Sequence, residues 1–309
     1  MLGLIETSNL TRKFGDVTAV EDLTLHVGEG EVFGFLGPNG AGKTTTIRML
    51  ACLISKTSGE ARIGNYEVGN DADVQKIRKI IGVMPDNVGL YEDLSAYRNL
   101  DFYGRLYECT EAQRTERIEH FLRMLGLWEV RDRAVRTFSK GMKQKLAIVR
   151  ALIHEPRVLF LDEPTANLDP EFQKTVRDFI LELKHEKRTI FLNTHNLDEA
   201  QRICDRIGIL NTRLVAVGDP EQLTESLEGR KTVVQLAQVT PAITAAVERQ
   251  GLNYVVTDGN KLMIDVSDPE KENPGIMEAI VAAGGHIQFI TEKHATLEEV
   301  YLKLVRDER

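Results

Sequence analysis

The 309-residue chain has only three cysteines, Cys52, Cys109 and Cys204. They are far apart and odd in number, with neither a CxxC pair nor metal-ligand spacing. This excludes a disulfide framework and a thiolate metal site and leaves free buried thiols of a reducing compartment. Long apolar runs are also missing, since no uncharged stretch approaches the roughly 18 residues a membrane helix needs. Residues Met1 to Leu10 include Glu6 and show neither the basic start nor the apolar centre of a targeting segment. The chain is therefore expected to be soluble and cytoplasmic by itself. Basic excess is absent too: 39 Lys and Arg against 47 Asp and Glu give a net charge of −8. A nucleic-acid binder would normally present a basic surface to neutralise phosphates, so no nucleic-acid partner is expected. Repeats and low-complexity tracts are absent.

The length exceeds one ordinary domain and suits two, each with enough apolar residues for a core. Strand-like alternation from Leu4 to Val27, broken at Gly15-Asp16, predicts an antiparallel hairpin region. Val32 to Leu36, Val158 to Leu161 and Thr189 to Leu192 are short apolar runs, as in the buried parallel strands of an α/β sheet. Apolar residues at i, i+3, i+4 spacing between Tyr97 and Trp128 predict helix. This belongs to a helical insert over about residues 88–153.

The first domain is expected to span 1–218, followed by a linker at 219–230 and a second domain at 231–309. In the second domain the pattern predicts strand (Thr232 to Leu236), helix (Pro241 to Gln250) and strand (Tyr254 to Thr257). A turn at Asp258-Gly259-Asn260, a strand (Lys261 to Val266) and a helix (Asn273 to Ala283) come next, then a strand (His286 to Ile290) and a last helix (Leu297 to Val305). That order, β-α-β-β-α-β, is the split βαβ of an α+β ferredoxin-like domain.

The segment Gly37-Pro38-Asn39-Gly40-Ala41-Gly42-Lys43-Thr44 fits GxxxxGK[ST] between a predicted strand and a predicted helix. Glycines let backbone N–H groups turn inward around phosphate oxygens, Lys43 meets the β- and γ-phosphates, and Thr44 reaches magnesium. Thr45 joins the expected ATP contacts. An apolar strand, Val158 to Leu161, ends in Asp162-Glu163. Beside a P-loop, Asp162 is expected to hold magnesium and Glu163 to orient and deprotonate the attacking water.

Phe138-Ser139-Lys140-Gly141-Met142-Lys143-Gln144, shortly before that strand, resembles the signature sequence of ABC ATPases. Lys140, Met142 and Phe138 depart from the commonest residues of the signature, while Ser139 and Gly141 are retained. The resemblance implies that these two grip the γ-phosphate on the opposite subunit; Ser139 as a helix N-cap is compatible with that role. Ala166-Asn167-Leu168-Asp169 resembles the D-loop, Asn193-Thr194-His195 the switch-histidine loop, and Phe14 the aromatic that stacks on adenine, although Phe14 as plain core stays open. At Ile81-Gly82-Val83-Met84-Pro85-Asp86, most ABC ATPases carry glutamine where this chain has Asp86. Asp86 is either a further magnesium contact or a solvated loop residue.

The resemblance covers residues 1 to about 218. It implies a P-loop fold of ABC type, with an antiparallel β subdomain, a RecA-like parallel core and a helical insert. The implied ligands are ATP and Mg2+, and the implied partners are a second copy of the chain and a separate membrane permease. More loosely, the second domain with its Ala295-Thr296-Leu297-Glu298-Glu299-Val300-Tyr301 segment resembles ATPase subunits of drug, sodium or polysaccharide exporters, and implies an accessory or regulatory role for 231–309. Such a subunit would sit on the inner face of the membrane through its permease. The competing classes are a soluble non-transport ABC ATPase and a nucleotide-dependent regulator that does not turn over.

Overall fold

The computed structural model describes residues 3–85, 89–166, 168–228, 230–293 and 296–306. The chain divides into two compact units, Met1–Asp219 and Pro220–Arg309.

The first unit opens with β1 (Ile5–Phe14) and β2 (Val17–Val27), an antiparallel pair closed by the Gly15-Asp16 turn. Next come β3 (Val32–Leu36), α1 (Lys43–Leu50), β4 (Ser58–Ile63), β5 (Tyr66–Glu67), α2 (Asp71–Ile80) and β6 (Ile81–Met84). The helical insert holds α3 (Ala96–Leu106), α4 (Glu111–Met124) and α5 (Lys140–Leu152). The unit ends with β7 (Val158–Asp162), α6 (Pro170–His185), β8 (Thr189–Asn193), α7 (Leu197–Ile203), β9 (Arg206–Asn211) and β10 (Arg213–Gly218).

Two sheets result. The antiparallel sheet has the order β2-β1-β4-β5, and the second has the order β10-β9-β3-β8-β7-β6, parallel except for β10. Every residue of β3, β7 and β8 is buried, as strands covered on both faces require. Phe33, Phe35 and Phe160 converge on Phe191, with ring centroids 5.3 to 5.6 Å from it. Each such ring buried contributes about 2–3 kcal/mol. α1 packs against β2, β4 and β7, so the element that begins at Lys43 is held between the two sheets.

The helix expected between Tyr97 and Trp128 is two helices. Glu108 adopts φ +60°, which stops α3, and Thr110 with Gln113 forms a capping box that starts α4. β4 was not anticipated because Ser58, Gly59 and Ala61 lower its strand propensity; pairing with β1, Ile5 to Ile63, overrides that.

In the second unit α8 (Pro220–Glu228) precedes β11 (Arg230–Leu236), α9 (Pro241–Glu248), β12 (Tyr254–Thr257), β13 (Lys261–Val266), α10 (Pro269–Ala282), β14 (Ile287–Lys293) and α11 (Leu297–Arg306). The sheet order β12-β13-β11-β14, antiparallel throughout, completes the ferredoxin-like arrangement. Alternate residues Val234, Leu236, Leu262 and Ile264 are buried with Ile243, Val247, Ile276 and Ile280 of α9 and α10. Two expectations are corrected. Residues 219–230 are not a plain linker, since α8 occupies Pro220–Glu228 and packs against α11. Helix α10 starts at Pro269, before the expected Asn273, because Asp268 caps it and Pro sits at its first position. Among the described residues no helix is long and apolar enough to cross a membrane.

His154 fastens the insert to the parallel sheet. It stacks on Tyr107 with centroids 3.7 Å apart, and its Nε2 lies 2.8 Å from the Ile81 carbonyl, to which it donates. Burial pushes the imidazole down from 6.5 to about 4. The unfolded chain therefore takes up the proton first, so this contribution is full above pH 6.5 and is lost as pH falls from 6.5 to 4, by at most about 3 kcal/mol. His154→Gln should be less stable at pH 7, with the gap to the parent narrowing towards pH 4. Urea unfolding of both proteins across that range checks this; a gap independent of pH would contradict a neutral buried imidazole.

Candidate functional site

The loop between β3 and α1 turns on Gly40 (φ +86°) and Gly42 (φ +98°). Gly42 cannot be replaced freely, because a Cβ there would stand 2.3 Å from the Ala19 carbonyl oxygen. The loop borders a cavity of about 410 Å3 lined by Asn39, Gly40, Ala41, Gly42, Lys43, Thr44 and Thr45, with Asp162, Glu163, Ala166 and His195 opposite. Lys43 donates to the carbonyls of Gly37 (2.7 Å) and Pro38 (3.0 Å). Burial pushes its ammonium below the usual lysine range, while Glu163 and Asp162 pull it back up.

Sheet order brings the other half of the cavity into place. β8 lies between β3 and β7, so the segments that end β7 and β8 leave the sheet side by side near the glycine-rich loop. Asp162 is 3% exposed, and its Oδ1 accepts from Asn193 Nδ2 at 3.1 Å. Glu163 takes φ +52°, a strained setting for a residue with a Cβ. Its N–H donates to Asn193 O, and its carbonyl accepts from Ala166 N and from Gln144 Nε2 at 3.1 Å. His195 Nδ1 is 2.8 Å from Glu163 Oε2 although the two are 32 residues apart in sequence. An ionised carboxylate only accepts, so Nδ1 carries the hydrogen and Nε2 of the neutral ring remains an acceptor.

The other expected residues lie apart from this cavity. Ser139 caps α5, accepting from Met142 N at 3.2 Å. Gly141 lies in its first turn, where a Cβ would meet the Phe172 ring at 2.8 Å. Asp169 caps α6, accepting from Phe172 N at 3.0 Å. Phe14 is 47% exposed at the tip of β1, with the Arg12 guanidinium 4.3 Å from its ring centre. Asp86 and Asn167 lie outside the described residues.

Sequence reasoning missed the contributions of four residues. Gln144 stood in the quoted signature without a role, yet it hydrogen-bonds the Glu163 backbone. Thr165 and Thr194 both donate to Glu199, at 2.8 and 2.9 Å. An acidic residue in a first helical turn ordinarily reads as a favourable dipole partner in water; only burial marks Glu199 out.

Among the described residues no group of three or more His, Cys, Asp or Glu could hold a metal by itself. Thr44 and Asp162 put two hard oxygen donors on one cavity, the sparse set that suits magnesium when phosphate oxygens and water complete its shell.

The sequence profile described as ABC transporter matches residues 20–166. The linearmycin resistance ATP-binding protein LnrL of Bacillus subtilis is 32% identical over 307 residues, covering 97% of this chain and 98% of that protein. Nod factor export ATP-binding protein I of Cupriavidus metallidurans is 33% identical over 309 residues, covering 98% of each. A solved ATP-binding subunit of an ABC transporter superposes with a TM-score of 0.67 at 31% identity, over 73% of this chain and 94% of that one. A dimeric ATP-binding cassette in a post-hydrolysis state, bound to ADP and Pi, gives 0.64 at 26% identity, over 70% and 98%. Relatives at 32–33% identity that are covered over nearly their whole length place the chain in the ABC transporter family, among its ATP-binding and ATP-hydrolysing subunits.

Proposed function

We propose that this chain is the cytoplasmic engine of an exporter whose permease is a separate polypeptide held at the inner face of the membrane. The export reading is supported by relatives named for drug resistance and for Nod factor export. Two copies bind ATP head to tail, each glycine-rich loop facing the partner's α5, through an isologous interface. The observation that carries the reading is the Glu163–His195 contact of 2.8 Å on the same cavity as Lys43.

The chemistry follows from the side chains. The backbone N–H groups from Gly37 to Thr45, Pro38 having none, receive the phosphates together with Lys43, and α1 presents its N-terminus to them. Glu163 accepts the proton of the attacking water, and His195 holds that carboxylate through its Nδ1 hydrogen. Thr44 and Asp162 hold magnesium, with Asp86 as a third candidate; when bound, the ion neutralises charge on the β- and γ-phosphates. Phe14 stacks on adenine from its exposed position. Ser139 and Gly141 at the start of α5, and Asp169, reach the nucleotide of the partner copy, which accounts for their absence from the chain's own cavity. Residues 231–309 contain no phosphate-binding motif and serve in regulation or partner contact.

Ser139→Arg tests the head-to-tail dimer. ATP affinity of the monomer should stay within about threefold, since Ser139 lies off that cavity, whereas turnover should fall by about a hundredfold with the loss of partner contact. Light scattering with ATP and magnesium should show no dimer. A variant that still dimerises and hydrolyses at the parent rate would remove Ser139 from the shared site.

A further inference from the structure

The loops carrying Glu163 and His195 leave the ends of paired strands, and backbone pairing between them stops at the bond from Glu163 N–H to Asn193 O. Past that point no ladder spaces the two loops, yet Glu163 and His195 stand 2.8 Å apart. Glu199, in the first turn of α7, crosses the gap and is 0% exposed. Its Oε2 accepts from Thr165 Oγ1, two residues after Glu163, at 2.8 Å, and from Thr194 Oγ1, next to His195, at 2.9 Å. The Thr194 hydroxyl in turn accepts from Asn196 N at 3.0 Å, and Asn196 Oδ1 accepts from Glu199 N at 3.1 Å.

We infer that Glu199 is a positioning residue for ATP hydrolysis, holding the Glu163 loop and the His195 loop at a fixed separation through the Thr165 and Thr194 hydroxyls. A residue that only favoured the start of α7 would gain as much from a solvated carboxylate. Burying a carboxyl group is unfavourable unless its oxygens are hydrogen-bonded, and here one oxygen is bonded to both loops while Oε1 has no partner among the described residues. Burial pushes this carboxyl up, against the two threonine hydrogen bonds. A glutamine would keep the shape of this side chain and an oxygen that accepts from both hydroxyls. Glu199 therefore works through geometry, and its effect belongs in the chemical step.

The inference rests on the roles of Glu163 and His195 proposed above. Steady-state ATPase assays of the full chain test it with Thr165→Val plus Thr194→Val, Glu199→Ala and Glu199→Gln, and with the double valine change repeated in His195→Ala. The double valine variant and Glu199→Ala should lose about ten- to a hundredfold in kcat, the scale of a small misplacement at a reacting centre, with KM for ATP within about twofold. Glu199→Gln should stay within about threefold of the parent, because one amide oxygen accepts from both hydroxyls. In His195→Ala the double valine change should cost under about twofold more, since the contact it protects is already gone. If Glu199→Ala does not fold, the near-isosteric valine changes decide the matter. Parent kcat in the double valine variant overturns the inference alone, as does a full loss repeated in His195→Ala. Parent kcat in His195→Ala itself overturns the roles of the pair and this inference with them.

Discussion

Glu163→Gln is expected to lower the kcat of ATP hydrolysis by about a thousandfold, within the range for loss of a positioned general base, while ATP binding stays intact. Glutamine matches glutamate in shape and its amide oxygen can still accept from His195 Nδ1, so the 2.8 Å contact survives and only basicity is lost. The backbone around residue 163 should also hold, because its N–H and carbonyl are fixed by Asn193, Ala166 and Gln144 whatever the side chain. Nucleotide that binds without being hydrolysed should then trap the two-copy state. Turnover measurements with size analysis in ATP and magnesium check both halves. A variant that hydrolyses within threefold of the parent would end the assignment of Glu163 as base, and one that binds ATP yet stays monomeric would count against the head-to-tail pair.

Lys43→Ala should weaken ATP binding by about a hundredfold or more and abolish turnover. Truncating one partner of a buried, hydrogen-bonded charge pair costs about 2–5 kcal/mol, and about 1.4 kcal/mol is tenfold in affinity. Burial already disfavours the Lys43 ammonium, and the nearby Glu163 and Asp162 support it. A tetra-anionic nucleotide supports it further, so much of the binding gain should pass through this one group. Removing it also strips the carbonyls of Gly37 and Pro38 of their donor, which loosens the loop before any ligand arrives. Titration calorimetry with ATP reads the loss directly. An affinity within threefold of the parent would place Lys43 outside the phosphate cradle.

Local chemistry was the legible part. A glycine-rich loop needs positive φ and close backbone approach at set intervals, and Gly40 and Gly42 supply both. The Asp162-Glu163 pair closes a strand whose apolar run announces burial, and Ser139 precedes a helical stripe it could be expected to cap. The second unit was legible for a similar reason, since period-2 strands alternate there with short helices and a clear turn at Asp258-Gly259. Elements whose own residues resist their state were harder. β4 is rich in small residues and is a strand because β1 pairs with it, and α8 carries only Leu223 and Leu227 as large apolar residues in a short polar stretch.

The sequence by itself determined that this chain has a glycine-rich loop of P-loop spacing, an acid pair at the end of a buried strand, and the signature of a family that hydrolyses ATP. Those features are spelled by residues within a few positions of one another, where spacing alone sets geometry. Only the tertiary structure decided which distant groups complete the site. Inserting β8 between β3 and β7 brings His195 to Glu163, and burying the first turn of α7 turns Glu199 from a solvated helix acid into a bridge between two loops. Sheet order and burial depend on the sum of many weak apolar contacts across the whole unit, and no short segment encodes that sum.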